Sequence, residues 1–215
     1  MAKPQYFTIS ATRDVDSVST NAATATDGSV TLDGAGVSGG VWTLSNSGNA
    51  LGTGIAGAKL RFSYPTEGVT WTLTGLDQDG NSVTDTLAGA AGSPATDTEL
   101  YFSKITSITS SGEAAAQTIG TTYYYTTKSY PLNWRSTEPA TYSLYNPGAL
   151  GTSVLTVQEY FGDTGQTAPL VTDGWNALLA ASGSTATEGT LHARAARLIT
   201  TATDGASVTF AVLQN

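Results

Sequence analysis

Side chains able to do chemistry are sparse in this chain. The densest group lies in GLDQDGNSVTDTL, Gly75 to Leu87, where Asp77, Asp79 and Asn81 stand at alternate positions beside Gly80. Oxygen-bearing residues at that spacing match the first, third and fifth ligands of a calcium loop. A loop of that kind starting at Asp77 also needs Gly in its sixth place and a bidentate Glu in its twelfth, and the chain has Ser82 and Ala88 there. A hairpin asks for less. Asp79-Gly80 tolerates the positive φ angles of a tight turn, and the flanks VTWTLTG and SVTDTL both read as strands. The expectation is a hairpin tip, with no metal ligand and no cofactor.

Other catalytic arrangements are thinner still. His192 is the one imidazole, so a Ser-His-Asp triad would have to use it, yet no G-x-S-x-G turn is present and LHARAARLI reads as a strand. The pairs Asp14 with Asp16 and Asp77 with Asp79 contain the carboxylates a glycosidase uses, but turns place Asp at such spacings for local hydrogen bonding. GTGIAGAKL, from Gly52, lacks the Lys-hydroxyl ending of a phosphate loop and precedes no helical pattern. No catalytic residue is assigned, and the chain is not expected to be an enzyme.

Aromatic residues provide the candidate binding surface. Tyr123, Tyr124 and Tyr125 are followed by Tyr130, Trp134, Tyr142 and Tyr145. Flat amphipathic rings contribute contact area at low entropic cost, which suits a protein interface and equally a sugar-stacking platform. Tyr123 and Tyr125 should share one face of a strand and Tyr124 the other, one face packing inward and the other forming contacts.

Composition narrows the partners. Seventeen acidic against nine basic residues give a net charge of −8, which repels nucleic acid and anionic membranes. The absence of Cys removes disulfides and thiolate chemistry. MAKPQYFTIS carries no signal-peptide core, and no run of about 18 apolar residues occurs. The expected product is soluble and made in a cytoplasm.

The elements that must position these residues are strands. Val69, Trp71 and Leu73 alternate with Thr70, Thr72 and Thr74, and the same period of two appears in Val30 and Leu32, Leu60 and Phe62, and Val208 and Phe210. Gly, Asn, Asp and Ser punctuate these runs as turns do. The one helical candidate is Trp175 to Ala181, with Asp173 as N-cap and Trp175, Leu178 and Leu179 at helical spacing. The fold class expected is therefore all-β, with little helix.

Internal recurrence suggests the organisation. LSNSGNALGT, from Leu44, recurs as LYNPGALGT, from Leu144, and Lys104-Ile105, Gly112 and Ile119 match Arg197-Leu198, Gly205 and Val212. Read as a repeat, and not as coincidence in a Gly- and Thr-rich chain, this gives two tandem antiparallel β-sandwich-like domains, residues 1–128 and 129–215. Lys128 and Pro131 interrupt the strand pattern at the join.

The motif order GSVTLDGAGVSGGVWTL, VTWTLTGLDQDGNSVTDTL and YFSKITSITSSGEAAAQTIGT resembles the β-sandwich modules of tailed-bacteriophage virion structural proteins. The C-terminal EGTLHARAARLITTATDGASVTFAVLQN is similar to their closing segment, departing from it at His192 and Arg194. The resemblance covers most of residues 28–215. It implies a capsid decoration (cement) protein of the virion, made in the host bacterial cytoplasm, whose partners are the major capsid protein or other virion proteins. A homo-oligomer is expected, with a trimer favoured. Two alternatives remain open at this stage: a neck, tail or fibre-associated protein, and a carbohydrate-binding β-sandwich module.

Overall fold

A computed structural model of the protein describes residues 5–9, 13–46, 54–132, 140–145, 154–161, 175–182, 187–191, 193–201 and 208–213. It is all-β: the strands form antiparallel sheets, and among the described residues the helical content is one 3₁₀ turn, Leu44–Asn46. Among the described residues, no helix is long and apolar enough to cross a membrane.

The chain divides into two compact units. One comprises residues 13–49 and 57–122, the other residues 1–12, 50–56 and 123–215. The sequence reading drew a single boundary after residue 128; the units as found are discontinuous in sequence.

The first unit is organised around the strand Lys104–Ser110. That strand pairs with Thr70–Leu76 on one side and with Val41–Thr43 and Gly28–Ser29 on the other, while Ser82–Ala88 extends the sheet beyond Thr70–Leu76. The predicted alternation is realised here. Trp71 and Leu73 are fully buried, whereas Thr72 and Thr74 face outward. A second layer brings Leu60 and Phe62 from Ile55–Ser63 to meet them, with the rings of Phe62 and Trp71 5.4 Å apart and tilted by 47°. A tilted aromatic pair of this kind adds attraction beyond the area that it buries. Arg61 fixes the edge of this layer through a two-pronged ion pair with Asp97, at 2.6 and 2.7 Å.

The second unit is built from two sets of strands. Gln5–Ile9, Val208–Leu213, Ala140–Tyr145 and Thr187–Leu191 form a four-stranded sheet in that order. Trp175–Ser182, Val154–Tyr160 and Ala195–Thr201 pair in succession, and Tyr125 and Thr126 join the far side of Ala195–Thr201. Leu144, Leu191 and Val212 from the first set pack with Leu155, Val157, Ala196 and Leu198 from the second, which makes a sandwich-like core.

The apolar residues that recur in sequence, where they are described, are buried in both units. Ile105 and Leu198 are fully buried in central strands, as are Ile119 and Val212. The pairing around them differs: Val212 lies between Gln5–Ile9 and Ala140–Tyr145, while Ile119 bridges to Ser19. Gly48, Asn146, Gly148 and Gly205 lie outside the described residues.

The helix expected at Trp175 to Ala181 is replaced by a strand, Trp175–Ser182. Its pairing with Val154–Tyr160 shifts register between Val157 and Gln158, which oppose Leu179 and Ala177, so Leu178 is the extra residue of a bulge. An inserted residue breaks the period of two. The spacing of Trp175, Leu178 and Leu179 consequently imitates a helical stripe.

This division predicts that residues 13–122 expressed alone unfold cooperatively, because Trp42, Leu60, Phe62, Trp71, Leu73, Ile105 and Ile108 all lie within them. Residues 129–215 alone should aggregate or remain unfolded. They lack Gln5–Ile9, which covers one side of Val208–Leu213, and also the Tyr125 and Thr126 pairs to Ala195–Thr201. Thermal melts of the two fragments check this. A folded, monomeric 129–215 would contradict it.

Candidate functional site

The loop that opened the sequence reading is a hairpin tip. Thr70–Leu76 and Ser82–Ala88 pair in unbroken register from Thr70 with Ala88 to Leu76 with Ser82, leaving residues 77–81 as a five-residue connection. Gly80 takes φ +90°, a conformation that disfavours any residue with a Cβ. Asp77 is 2% exposed, and its carboxylate is occupied by the loop itself. Oδ1 accepts from Asp79 N at 2.8 Å and Asn81 N at 2.9 Å, and Asn81 Nδ2 donates to both oxygens at 3.2 and 3.0 Å. Among the described residues, no three His, Cys, Asp or Glu side chains gather as a metal site.

Asp77→Ala should cost about 1–3 kcal/mol, since it leaves the partly buried amides of Asp79 and Asn81 without their acceptor. Millimolar calcium should leave the melting temperature of the unaltered protein unchanged, because a ligand of the native state raises it by mass action. Differential scanning calorimetry reads both outcomes.

The other acidic pair is also local. Asp14 Oδ1 accepts from Asp16 N at 3.4 Å. Burial raises the Asp14 pKa above the usual carboxylate value, opposed by that hydrogen bond and reinforced by the charge of Asp16. A further carboxylate, Asp85, is buried in Ser82–Ala88 and works as a tether: Oδ2 accepts from Glu99 N at 2.9 Å and Leu100 N at 3.0 Å. His192 lies outside the described residues.

The seven aromatic candidates do not form a single surface. Tyr125 is fully buried, and Tyr142 is buried in the core of the second unit with Tyr130 packed partly against it. Tyr123 is 36% exposed and Tyr124 half-buried. Tyr123 and Tyr125 therefore do not share an environment, contrary to the alternation expected, because Tyr125, Thr126 and Thr127 are all buried and both faces of the strand are covered there. Tyr145 ends the strand Ala140–Tyr145, and Trp134 lies outside the described residues.

Tyr142 is held by its neighbour across the sheet. It pairs with Gly189, and a Cβ on that glycine would stand 2.6 Å from the Tyr142 hydroxyl, so the ring occupies the space that a side chain would need. Burial, followed by the negative charge of Glu159, raises the Tyr142 pKa above that of a free phenol. Its hydroxyl is neutral at physiological pH.

A second aromatic group went unread in the sequence. The guanidinium of Arg197 lies 4.3 Å from the centre of the Trp175 ring, Tyr160 packs 5.4 Å from the same ring, and Arg197 Nε donates to Gln158 Oε1 at 2.8 Å. These residues come from three neighbouring strands, and a cation over an indole face is attracted by the ring's negative quadrupole. The stack anchors the edge strand Trp175–Ser182, on which Leu178 is 42% exposed.

Comparison with protein-family models, curated proteins and solved structures gives no match. The functional reading therefore rests on the residues themselves.

Proposed function

We propose that this chain is a structural component of a bacteriophage virion, a decoration protein that cements the capsid surface. The observation that carries the reading is the placement of the three motifs that resemble virion β-sandwich modules. Their strands, Gly28–Ser29 with Val41–Thr43, Thr70–Leu76 with Ser82–Ala88, and Lys104–Ser110, lie side by side in one sheet of the first unit. The residues that carry the resemblance thus belong to one sheet.

The mechanism is mechanical. Backbone-paired strands around buried Trp, Phe, Leu and Ile give rigid units, and a rigid body transmits load between the neighbours that it touches. Exposed side chains of the second unit, including Tyr123, Phe161 and Leu178, offer contact area for the major capsid protein or another virion protein. Lattice positions of threefold symmetry favour a trimer, in which several copies of one weak contact engage together. Sedimentation velocity on the purified protein is expected to show a single species of three chains. A monomer at every concentration would count against the reading.

A further inference from the structure

We propose that the Asp27-Gly28 step is a self-modification site, at which the chain closes a succinimide ring and reopens it with isoaspartate at position 27.

The chemistry needs water alone. The amide nitrogen of Gly28 attacks Cγ of Asp27, the N–Cγ bond forms, and the carboxyl OH leaves with the amide hydrogen as one water molecule. A second water then opens the ring. Addition at Cγ restores Asp27, whereas addition at the α-carbonyl carbon breaks its bond to the Gly28 nitrogen and leaves the main chain running through Cβ and Cγ. Both reacting groups belong to neighbouring residues, so the attack has the advantage of an intramolecular step. Glycine gives the nitrogen the least steric cover.

The same dipeptide recurs along the chain, as Asp27, Asp33, Asp79, Asp173 and Asp204 each precede Gly. Asp173 and Asp204 lie outside the described residues. The other three share the sequence and differ in their surroundings. The Asp33 carboxylate accepts from Thr20 N at 2.7 Å, Thr20 Oγ1 at 3.0 Å and Ser19 Oγ at 3.3 Å, and the hydrogen bond from the Thr20 amide leads in holding it below the usual carboxylate range. An ionised carboxylate is a poor target for attack. Gly34 is buried against the main chain of Asp16 and Ser17, and its N–H donates to Val18 O at 3.2 Å. Asp79 is held by the loop that Asp77 closes: its N–H donates to Asp77 Oδ1 at 2.8 Å, its Oδ2 accepts from Gln78 Nε2 at 3.0 Å, and Gly80 N donates to Asp77 O at 3.2 Å.

Asp27 has none of this restraint. Residues 25–29 are exposed throughout, between Thr24, which bridges to Ala114, and Val30, whose N–H donates to Ile108 O at 2.9 Å. Among the described residues the Asp27 carboxylate has no hydrogen-bond or ion-pair partner. Nothing stands within 4 Å of the place a Cβ on Gly28 would take, so water reaches the step. The Gly28 main chain pairs with Ser110, but it does so at the end of a two-residue strand, and so short a strand opens locally at small cost. Conversion would then lengthen the main chain just before that pair. The site does not depend on the virion reading.

Peptide mapping of the full chain, kept for several weeks at neutral pH and body temperature in heavy-oxygen water, tests the proposal. Electron-transfer fragmentation distinguishes the two linkages and locates each. Isoaspartate is expected at Asp27 at least about tenfold ahead of Asp33 and Asp79 in the folded chain. In concentrated urea, where the hydrogen bonds of the fold are lost, the three should convert within about threefold of one another. Asp77→Ala removes the acceptor that closes the 77–81 loop, so it should raise conversion at Asp79 about threefold or more and leave Asp27 unchanged. The proposal is overturned if Asp27 forms no isoaspartate, or if Asp33 or Asp79 converts as fast in the folded chain. The same ranking in urea would also overturn it, by assigning the rates to neighbouring residues and not to the fold.

Discussion

Trp71→Ala is expected to lower the stability of the first unit by about 3–5 kcal/mol, the cost typical of emptying a large aromatic site in a core. Trp71 is fully buried, its ring stacks at a tilt on Phe62, and a Cβ added to Gly89 would meet its Cζ3 at 3.2 Å, so the indole is enclosed from several sides. The backbone around it is held on both sides by paired strands, through Leu87 and Ser110, which limits collapse into the space left behind. Urea unfolding of residues 13–122 and of the full chain should show the midpoint falling with little change in slope, the mark of a stability change and not a change in the surface exposed. Leu178→Ala, at the partly exposed bulge of an edge strand, serves as the contrast and should cost less than about 1 kcal/mol. A loss at Trp71 as small as that would mean that the pairing around it is not the one described.

The second large effect concerns assembly. Tyr123→Ala combined with Tyr124→Ala should leave the melting temperature within a few degrees of the unaltered protein while weakening attachment to virions by about a thousandfold. The magnitude follows from multivalency. If truncating the two rings weakens one contact about tenfold, three copies acting together in a trimer multiply that loss. Tyr125→Ala, one residue further along the strand, should behave in the opposite way. Its ring is fully buried, so the change opens a cavity and costs about 3–5 kcal/mol. Calorimetry and a pull-down of particles by the purified variants separate the two behaviours. If Tyr123 and Tyr124 together leave attachment intact, the contact surface lies elsewhere.

What the sequence made legible was local and periodic. Trp71 and Leu73 alternating with threonines specified a half-buried strand, and the Asp-Gly pair beside it specified the turn; both stand in the structure as Thr70–Leu76 and the 77–81 loop. The part that escaped is non-local or aperiodic. The bulge at Leu178 inserts one residue into Trp175–Ser182, and one residue is enough to turn a period of two into something resembling a helical stripe. The face-sharing expected of Tyr123 and Tyr125 assumes a strand with one covered side, but the chain from Tyr125 to Thr127 is covered on both. Arg197 over Trp175 joins two strands between which a third, Thr187–Leu191, intervenes in sequence. No spacing rule links residues that only the register of a sheet brings together. Asp77 is the intermediate case: with Asp79 and Asn81 it fitted the start of a calcium loop that Ser82 and Ala88 fail to complete, and the hydrogen bonds it makes to Asp79 and Asn81 are those of the turn.

The central claim, that this chain is a capsid decoration protein, is tested most directly by locating it on the particle. Antibody raised against the purified chain, conjugated to gold and imaged on intact virions, should mark the capsid surface, and averaged images of the same particles should place matching density at threefold positions of the lattice. Label confined to the neck or tail, or no label on any virion, would contradict the account.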